Sequence, residues 1–381
     1  MATGSLKITI ISDLHCCLSS EDEDYRTTNL YCDSPRKPSN HHPVESLLKL
    51  IKEKKLRSDI LLCPGDLTNK ASKEGFSSAW SYVHEINTAL KSKLLAATLG
   101  NHDVDSKFKH SEDAFEIARS IKNSFPVNEE KHEKDFWKDS FCIIEKPKLD
   151  LLIFNSSYSH INSDNAKYCI IEPFILEKME DKLKLLKRNK PYKIALCHHH
   201  PMKHSNLDYK DNDSIEQGDN FIRLLDKYGF QIIIHGHKHD PRLTYGINGF
   251  PVLASGSFSS LMNQRETGYR NIFHQLTLLP NLRKGLLESY EFSLTHGWFD
   301  KRAMFPKNTG FGCHDNLDDL ANKCKDWLNS QDNKDSAYFK NLIIDIPEIK
   351  YLIPDHSENF KDLLLKNHKI DIVQDAIYKQ F

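Results

Sequence analysis

Five short motifs along the chain combine residue types that bind transition-metal ions. They are Asp13-Leu14-His15, Gly65-Asp66-Leu67-Thr68, Gly100-Asn101-His102-Asp103, His198-His199-His200-Pro201 and Gly236-His237-Lys238-His239. Carboxylate, amide and imidazole donors together suit Mn, Fe, Zn, Co or Ni better than Mg or Ca, which prefer oxygen ligands alone. One such motif is weak evidence, because short combinations of Asp and His arise by chance. Five of them, each directly after a predicted strand, indicate a shared metal site.

The number of donors predicts how many ions this site holds. The candidate ligands are Asp13, His15, Asp66, Asn101, one histidine of the run at 198–200, His237 and His239. Seven ligands exceed the needs of one tetrahedral ion, but they suit two ions that share a bridging carboxylate. Two ions roughly 3.5–4 Å apart are typical of phosphoryl chemistry. A hydroxide between such ions attacks phosphorus in line, and the ions neutralise the charge that develops on the phosphate oxygens.

Apolar runs and amphipathic segments alternate along the chain and predict an α/β fold. Buried strands are predicted at residues 6–12, 59–63, 94–99, 151–155, 193–197 and 231–235, where the runs are continuously apolar. Helices are predicted at residues 44–55, 76–90, 176–187 and 220–228. Later strands are predicted at residues 251–254, 271–279 and 285–294, the last two as a hairpin. Because the ends of parallel neighbouring strands meet, we expect all five motifs at the same edge of one sheet.

The character of the sequence changes near residue 298, which predicts a first domain at residues 1–298 and a mainly helical extension at 299–381. One helical pattern in the extension places Leu317, Leu320, Ala321, Cys324, Trp327 and Leu328 on one face. This apolar stripe fits a surface for dimerisation or partner docking, or packing against the first domain, which we prefer. Polar insertions at residues 19–43 and 202–218 are interpreted either as solvated loops or as the rim of a substrate site.

Composition and charge exclude several classes of protein. With 39% hydrophobic and 10% aromatic residues the chain can build a core, which excludes global disorder. Its 52 basic and 53 acidic residues give a net charge of −1, so no global positive field attracts nucleic acid or anionic lipid. The nine cysteines include no CxxC pair and predict neither a disulfide framework nor a structural zinc site.

The sequence also bears on location. No apolar stretch approaches the ~18 residues of a membrane helix, and the run at 8–11 is too short for a signal peptide. We therefore expect a soluble cytoplasmic protein.

In this order, the five motifs resemble those of the calcineurin-like metallophosphoesterase superfamily. The resemblance covers about residues 6–295, and its GDLT and HHHP variants are closer to the cyclic-nucleotide phosphodiesterase-like branch than to the protein phosphatases. It implies a β-sandwich flanked by helices in four αββα layers. It also implies two metal ions and the hydrolysis of a phosphodiester, with a small molecule or a nucleotide as substrate.

The resemblance also implies a ligand set for each ion. Asp13, His15 and His239 would bind the first ion, Asn101, His237 and His199 the second, and Asp66 would bridge them. His199 is selected within the histidine run by the family's usual His-x-Pro pattern, because Pro201 lies two residues further on. His198 and His200 are then expected to flank the ligands.

Further residues of the motifs would support the chemistry. His102 resembles the family's histidine that binds no metal; it would face the leaving oxygen and be oriented by Asp103. A helix N-cap is the alternative role for Asp103. Gly65, Gly100 and Gly236 each precede a ligand at a predicted sharp turn, where the backbone needs conformations that are costly for other residues. The pair Asn155-Ser156 stands where such enzymes often have an aspartate, and no role is assigned to it.

Other functions fit the same motifs. A nuclease, a phosphomonoesterase or a protein phosphatase of the same fold would use the same donors. A nuclease needs a basic track with stacking aromatics, whereas the lysine-rich runs at 52–57 and 182–190 lie on predicted helices and are interpreted as solvated faces. A catalytically dead binding or regulatory protein is the alternative from another class, but no ligand position is missing. His41 and His42 lie in a polar insertion and are interpreted either as an extra metal or substrate contact or, as we prefer, as exposed residues.

Overall fold

Strands and helices alternate through the first domain, as the apolar runs predict. The computed structural model describes residues 4–22, 27–121, 125–127, 129–186, 189–203, 214–262, 270–300, 309–373 and 375–380. Its strands are β1 (Leu6–Ile10), β2 (Ile60–Cys63), β3 (Leu94–Ala97), β4 (Phe141–Lys146), β5 (Leu149–Phe154), β6 (Tyr192–Leu196), β7 (Ile232–His235), β8 (Arg242–Tyr245), β9 (Pro251–Ala254), β10 (Ile272–Leu278), β11 (Gly285–Ser293), β12 (Gly297–Phe299), β13 (Thr309–Phe311), β14 (Ser336–Tyr338), β15 (Ile370–Val373) and β16 (Ala376–Lys379). Its helices are α1 (Pro43–Lys54), α2 (Lys73–Leu90), α3 (Glu116–Arg119), α4 (Glu130–Asp139), α5 (Pro173–Lys184), α6 (Gly218–Lys227), α7 (Leu317–Asn329), α8 (Phe339–Asp345) and α9 (Pro354–His368). The predicted α/β fold is confirmed, and so are the predicted strands, helices and late hairpin.

The motifs follow strands of two different sheets. Within the described residues, one large sheet has the order β12-β11-β10-β1-β2-β3, with β13 paired to β11, and the other has the order β4-β5-β6-β7-β9-β8. The strands β1, β2 and β3 are parallel neighbours, and so are β6 and β7. Three motifs therefore follow the first sheet and two follow the second, so the expectation of a single sheet was wrong. An apolar run indicates that a strand is covered on both faces, but not which sheet it joins.

The second sheet shows how one strand serves two cores. In β5, Leu151 and Ile153 belong to the cluster that also contains the buried residues of β1 and β2. The alternate residues Leu152 and Phe154 belong to a separate cluster with the apolar faces of α5 and α6. Because successive side chains of a strand point to opposite faces, both faces of this sheet are buried. The large sheets and their helices thus form the layered arrangement that the resemblance implies.

Amphipathic helices cover the outer faces. In α2, Phe76, Trp80 and Val83 are buried at helical spacing and join the same cluster as β1 and β2. The side chain of Ser72 caps this helix by accepting a hydrogen bond from the N–H of Gly75 at 3.0 Å. Of the helices that the structure describes, none has both the length and the apolar character needed to cross a bilayer.

The first polar insertion is fixed to the domain rather than solvated along its length. The N–H of Asn29 donates to the carbonyl of Ser259 at 2.8 Å, and the N–H of Cys32 donates to that of Cys17 at 2.9 Å. Leu30 between them is fully buried. Residues 23–26 of this insertion, and residues 204–213 of the second one, lie outside the described residues.

The two histidines of this insertion differ from each other. His41 is exposed, but His42 is only 2% exposed, so its expected exposure was wrong. Its Nδ1 accepts a hydrogen bond from the N–H of Glu45 at 3.4 Å and so caps the start of α1. Its ring also meets the ring of Tyr82 edge to face. These contacts give His42 a role in stabilising the start of α1.

The C-terminal extension has a hydrophobic core of its own. Leu320, Cys324 and Leu328 of α7 pack with residues of α8 and α9 and of the sheet β14-β16-β15. The prediction that this stripe packs against the first domain was therefore wrong, and the three short strands were missed. The extension joins the first domain through β13, which pairs with β11, and through the hydroxyl of Tyr245, which accepts a hydrogen bond from the N–H of Gly312.

Candidate metal centre

One group of donors gathers where β1, β2 and β7 end. Nε2 of His15 lies 3.5 Å from Oδ2 of Asp66 and 2.9 Å from Nε2 of His239. Nε2 of His239 lies 3.4 Å from Oδ1 of Asp13. One ligand atom from each of these four residues lies within 4.8 Å of those of the others. The structure thus brings together the four donors that the resemblance implies for the first ion.

A second group shares Asp66 and lies between the two sheets. Nε2 of His198, which follows β6, lies 3.3 Å from Oδ2 of Asp66 and 3.1 Å from Oδ1 of Asn101. The same oxygen of Asn101 lies 2.9 Å from Nδ1 of His237. Oδ2 of Asp66 therefore faces an imidazole nitrogen of each group, as a bridging carboxylate must.

The buried polar atoms of this cluster fit bound cations. In the part of the chain that the structure describes, Oδ2 of Asp13 is buried and has no hydrogen-bond partner. Its other oxygen, Oδ1, accepts a hydrogen bond from the N–H of His237 at 3.0 Å. A buried carboxylate oxygen without a donor is costly, and a cation within reach removes that cost. Imidazole, amide and carboxylate donors are those of a transition-metal site.

The backbone is strained at the same residues. Asp13, His15, Asp66, His237 and His239 all have positive φ, between 46° and 83°. Residues with a Cβ rarely adopt this left-handed region, and such strain concentrates at functional sites, where the surrounding structure enforces it. The strands thus end in turns that direct two donors of one motif into the cluster.

The predicted glycines leave room for these turns. A Cβ on Gly100 would lie 2.1 Å from Oδ1 of Asp66, and one on Gly236 would lie 2.4 Å from Oδ2 of Asp13. Only Gly65 among the three has a left-handed φ, of +109°. The expectation that the backbone conformation requires glycine is therefore correct for Gly65 alone. Gly100 and Gly236 are required because a side chain at either position would collide with a carboxylate of the cluster.

Opposite charges face each other in the cluster, and each shifts the pKa of the other. Burial works to raise the pKa of Asp66, but the facing His198 and His102 outweigh it and hold that pKa well below its usual value. Burial works to lower the pKa of His198, but Asp66 raises it to about 9. Without an ion, a proton on His198 therefore balances the carboxylate. Metal binding to an imidazole releases its proton, so a cation would take over this role.

Two histidines of the run lie at the second group: His198, and the predicted ligand His199, which offers a ring nitrogen within 4.8 Å of those of His198 and His237. The carbonyl of Pro64 accepts a hydrogen bond from Nδ1 of His198 at 2.9 Å, which turns Nε2 of this ring toward Asp66. Nδ1 of His199 instead pairs with Oγ of Ser156 at 2.9 Å. Ser156 belongs to the pair for which the sequence suggested no role. His199 thus belongs to two groups of possible ligands, one with His198 and His237 and a neighbouring one with His160 and Cys169.

The orientation of His102 also differs from the prediction. Both carboxylate oxygens of Asp103 accept backbone hydrogen bonds, from the N–H groups of Thr68 and Gly100, each at 2.9 Å. Asp103 is therefore a brace within the turn, closer to its alternative role as a cap. Nδ1 of His102 lies 3.0 Å from Oδ1 of Asn69 instead. Asn69 directly follows the GDLT motif, and this proximity is the one signal in the sequence that could have pointed to it.

Comparison with known families supports the same interpretation. A sequence profile described as Calcineurin-like phosphoesterase matches residues 6–241, which include all five motifs. The chain belongs to this family. A second profile, described as wHTH-Calcineurin_assc, matches residues 309–366 in the extension. No curated protein matches the chain.

Solved phosphatase structures share the fold of this calcineurin-like phosphoesterase. Purple acid phosphatase PPD1 from yellow lupin (Lupinus luteus) seeds has a TM-score of 0.51 and 17% identity, over 78% of this chain and 53% of the lupin chain. The chain thus spans about half of the lupin protein. A dimetal phosphatase from Danio rerio has a TM-score of 0.50 and 12% identity, over 74% of this chain and 95% of the fish chain. At these identities the likeness is one of fold.

Proposed function

We propose that this calcineurin-like phosphoesterase is a phosphodiesterase with two metal ions, acting on a small or nucleotide-type phosphodiester. The observation that carries the proposal is the position of Asp66, whose Oδ2 lies 3.5 Å from His15 and 3.3 Å from His198. Two donor groups that share one carboxylate are the requirement for a dinuclear centre.

The geometry suggests a ligand set for each ion. Asp13, His15 and His239 would hold the first ion, Asn101, His198 and His237 the second, and Asp66 both. Suitable ions are Mn, Fe, Zn, Co or Ni. When bound, such ions neutralise the phosphate oxygens and lower the pKa of a water molecule that serves as nucleophile.

His102 is placed to act on the leaving oxygen. Its ring centre lies 4.6 Å from that of His15, at the edge of the cluster, and the residue is only partly buried. The side-chain amide oxygen of Asn69 holds Nδ1 of His102, which leaves Nε2 for a substrate. The alkoxide released from a phosphodiester is a poor leaving group, so a hydrogen bond or proton from Nε2 would assist its departure.

The paired lysines favour a small substrate over a nucleic acid strand. In the run at 182–190, Lys182 donates to the carboxylate of Asp139 at 2.8 Å. At the end of the same run, Lys190 donates to the buried Asp150 at 2.6 Å. The charges of Lys182 and Lys190 are thus engaged with carboxylates of the protein, which makes these two lysines poor contacts for a phosphate backbone.

Substitution of the shared carboxylate tests this proposal. Because Asp66→Asn removes the anionic ligand common to both ions, we expect it to lose both metals and at least roughly 10³-fold in turnover. Metal content is measured by elemental analysis, and activity with bis(p-nitrophenyl) phosphate after reconstitution with each candidate metal. Asp319→Asn, on the exposed surface of α7, is the control and should keep both properties.

The same reconstituted enzyme distinguishes the other functions of this family. Cyclic nucleotides, an oligonucleotide, p-nitrophenyl phosphate and a phosphoprotein are compared as substrates. Faster hydrolysis of the monoester or of nucleic acid than of small diesters would replace the diesterase assignment. Near wild-type turnover of Asp66→Asn would contradict the dinuclear centre itself.

A further inference from the structure

A cleft with a volume of about 380 Å³ opens beside the metal-binding cluster. Asn101 and His102 form the part of its wall that belongs to the proposed active centre. The side chains of Lys70, Lys107 and Lys109 also line this cleft and are exposed. Its size is that of pockets that hold small ligands such as a nucleotide.

The charge of this cleft is predominantly positive. Asp105 is the acidic residue of its lining, and it is only 4% exposed. Its carboxylate accepts backbone hydrogen bonds from Lys109 at 3.0 Å, from His110 at 2.7 Å and from Ser111 at 3.3 Å. The charge of Asp105 is thus directed into the loop, whereas Lys107 and Lys109 are exposed residues of the lining.

The backbone on both sides of the cleft is strained without glycine. Lys70 and Ala71 on one side, and Phe108 on the other, have positive φ of 51°, 59° and 50°. The helix ends at Lys55 and Lys91 explain their own left-handed conformations, because both are C-caps. The three residues at the cleft have no such explanation, and strain of this kind is typical of functional sites.

Hydrogen bonds hold these strained residues in place. The N–H of Ala71 donates to the carbonyl of His102 at 2.8 Å, and the N–H of Phe108 donates to that of Asp105 at 3.0 Å. One wall of the cleft is thereby tied directly to the histidine of the active centre. Lys107 and Lys109 are presented by a loop whose conformation is fixed before a ligand arrives, which lowers the entropic cost of binding.

We propose that this cleft binds a second phosphate of the substrate, separate from the one held at the metal centre. Lys107 and Lys109 would pair with its oxygens through charge-assisted hydrogen bonds. The substrate class is then a nucleotide-type phosphodiester with a further phosphate close to the scissile bond. This inference rests on the proposed function and names the substrate class of the same centre.

Binding of nucleotides to the metal-reconstituted full chain tests this proposal without turnover. Thymidine 3′,5′-bisphosphate is compared with thymidine 5′-phosphate and thymidine 3′-phosphate by titration calorimetry. We expect the bisphosphate to bind at least roughly tenfold more tightly than either monophosphate, as one or two charge-assisted hydrogen bonds would provide. The double variant Lys107→Ala/Lys109→Ala should reduce this preference to less than about twofold.

A matched control separates local pairing from a change in net charge. Lys323→Ala/Lys325→Ala removes two exposed lysines from α7 and should keep the bisphosphate preference. Equal binding of all three nucleotides by the wild type, or an unchanged preference in the cleft variant, would overturn the inference. A preference that depends on the cleft lysines, in a protein that hydrolyses no diester, would support the cleft and reject the proposed function.

Discussion

At the scale of single residues, protein contacts hold the candidate ligands in place before any ion binds. The carbonyl of Pro64 orients His198, and the backbone of His237 fixes Asp13. Left-handed backbone at Asp13, His15 and Asp66 costs about 1–3 kcal/mol per residue, and the surrounding turns maintain it. Such preorganisation means that metal binding does not have to assemble the centre, which favours tight and geometrically defined binding.

The part of His102 in the reaction can be separated from metal binding. Because His102 is not among the proposed ligands, His102→Ala should keep both metals. It should lose about 10²-fold or more in turnover of diesters with alkoxide leaving groups, since these need help from an acid. The loss with bis(p-nitrophenyl) phosphate should be much smaller, because nitrophenolate leaves without a proton. Metal content and kcat for the two kinds of substrate are the measurements.

Asn69→Ala provides a companion variant for the same prediction. Oδ1 of Asn69 lies 3.0 Å from Nδ1 of His102 and positions its ring, so the loss of this side chain should give a weaker form of the same dependence on the leaving group. Ser92→Ala, in the turn between α2 and β3, is a control remote from the cluster. Equal losses for activated and unactivated diesters would argue against a role of His102 at the leaving oxygen.

The sequence identified the kinds of residue at the centre better than their directions. The spacing of Asp13 and His15 predicts donors that share one side, and the structure brings this pair together, whereas His237 and His239 belong to two different groups of donors. Within the histidine run, the choice between His198 and His199 depends on hydrogen bonds from residues far away in the chain, Pro64 and Ser156. A local pattern does not contain such contacts. The orientation of His102 also depends on a contact with a residue distant in the chain, Asn69. This contact was missed, and the orientation of His102 was assigned to its neighbour Asp103.

At the scale of elements, the carboxyl ends of parallel strands from two sheets face each other across the centre. Apolar runs were sufficient to predict β1, β2, β3, β6 and β7. The assignment of these strands to two sheets depends on long-range pairing, which has no local signature. Within the first sheet, the turns that follow the neighbouring strands β2 and β3 also approach each other closely at the centre.

Gly100 tests whether this close approach determines the site. Its φ of −99° suits alanine, so Gly100→Ala strains no torsion, but the new Cβ would lie 2.1 Å from Oδ1 of Asp66. We expect the displaced carboxylate to reduce turnover roughly 10²-fold, with impaired metal binding. Activity with bis(p-nitrophenyl) phosphate and metal content are the measurements.

Gly229→Ala is the matched control for this prediction. Gly229 has a φ of +74° and open space around its missing side chain. The alanine should cost about 1–2 kcal/mol of stability through backbone strain, and it should leave turnover unchanged. Thermal unfolding and activity together therefore distinguish steric displacement of a ligand from general destabilisation. Full activity of Gly100→Ala would show that the turns have room that the structure does not indicate.

At the scale of the whole molecule, the chain combines the domain that carries the candidate metal centre with an extension that has a separate core. The helical stripe of α7 was predicted from its periodicity, but its partner surface was not, because an apolar face does not specify what covers it. The strands β14, β15 and β16, of three or four residues each, are too short to give a clear alternating pattern. The two parts are nevertheless coupled, since β13 extends the first sheet.

Separate cores predict separate unfolding. Leu320 is fully buried in the core of the extension, so Leu320→Ala should destabilise that part by about 2–5 kcal/mol. Because the proposed ligands and the cleft lysines all lie in the first domain, turnover of bis(p-nitrophenyl) phosphate should remain within about twofold at temperatures where the first domain is folded. Hydrogen exchange followed by mass spectrometry should show faster exchange in α7 and α9 and unchanged exchange in β1 and β2.

Ile194→Ala, in the core of the first domain, should produce the reverse pattern. A single cooperative transition, with exchange accelerated equally in both parts by either variant, would show that β13 and Tyr245 join the two cores into one folding unit.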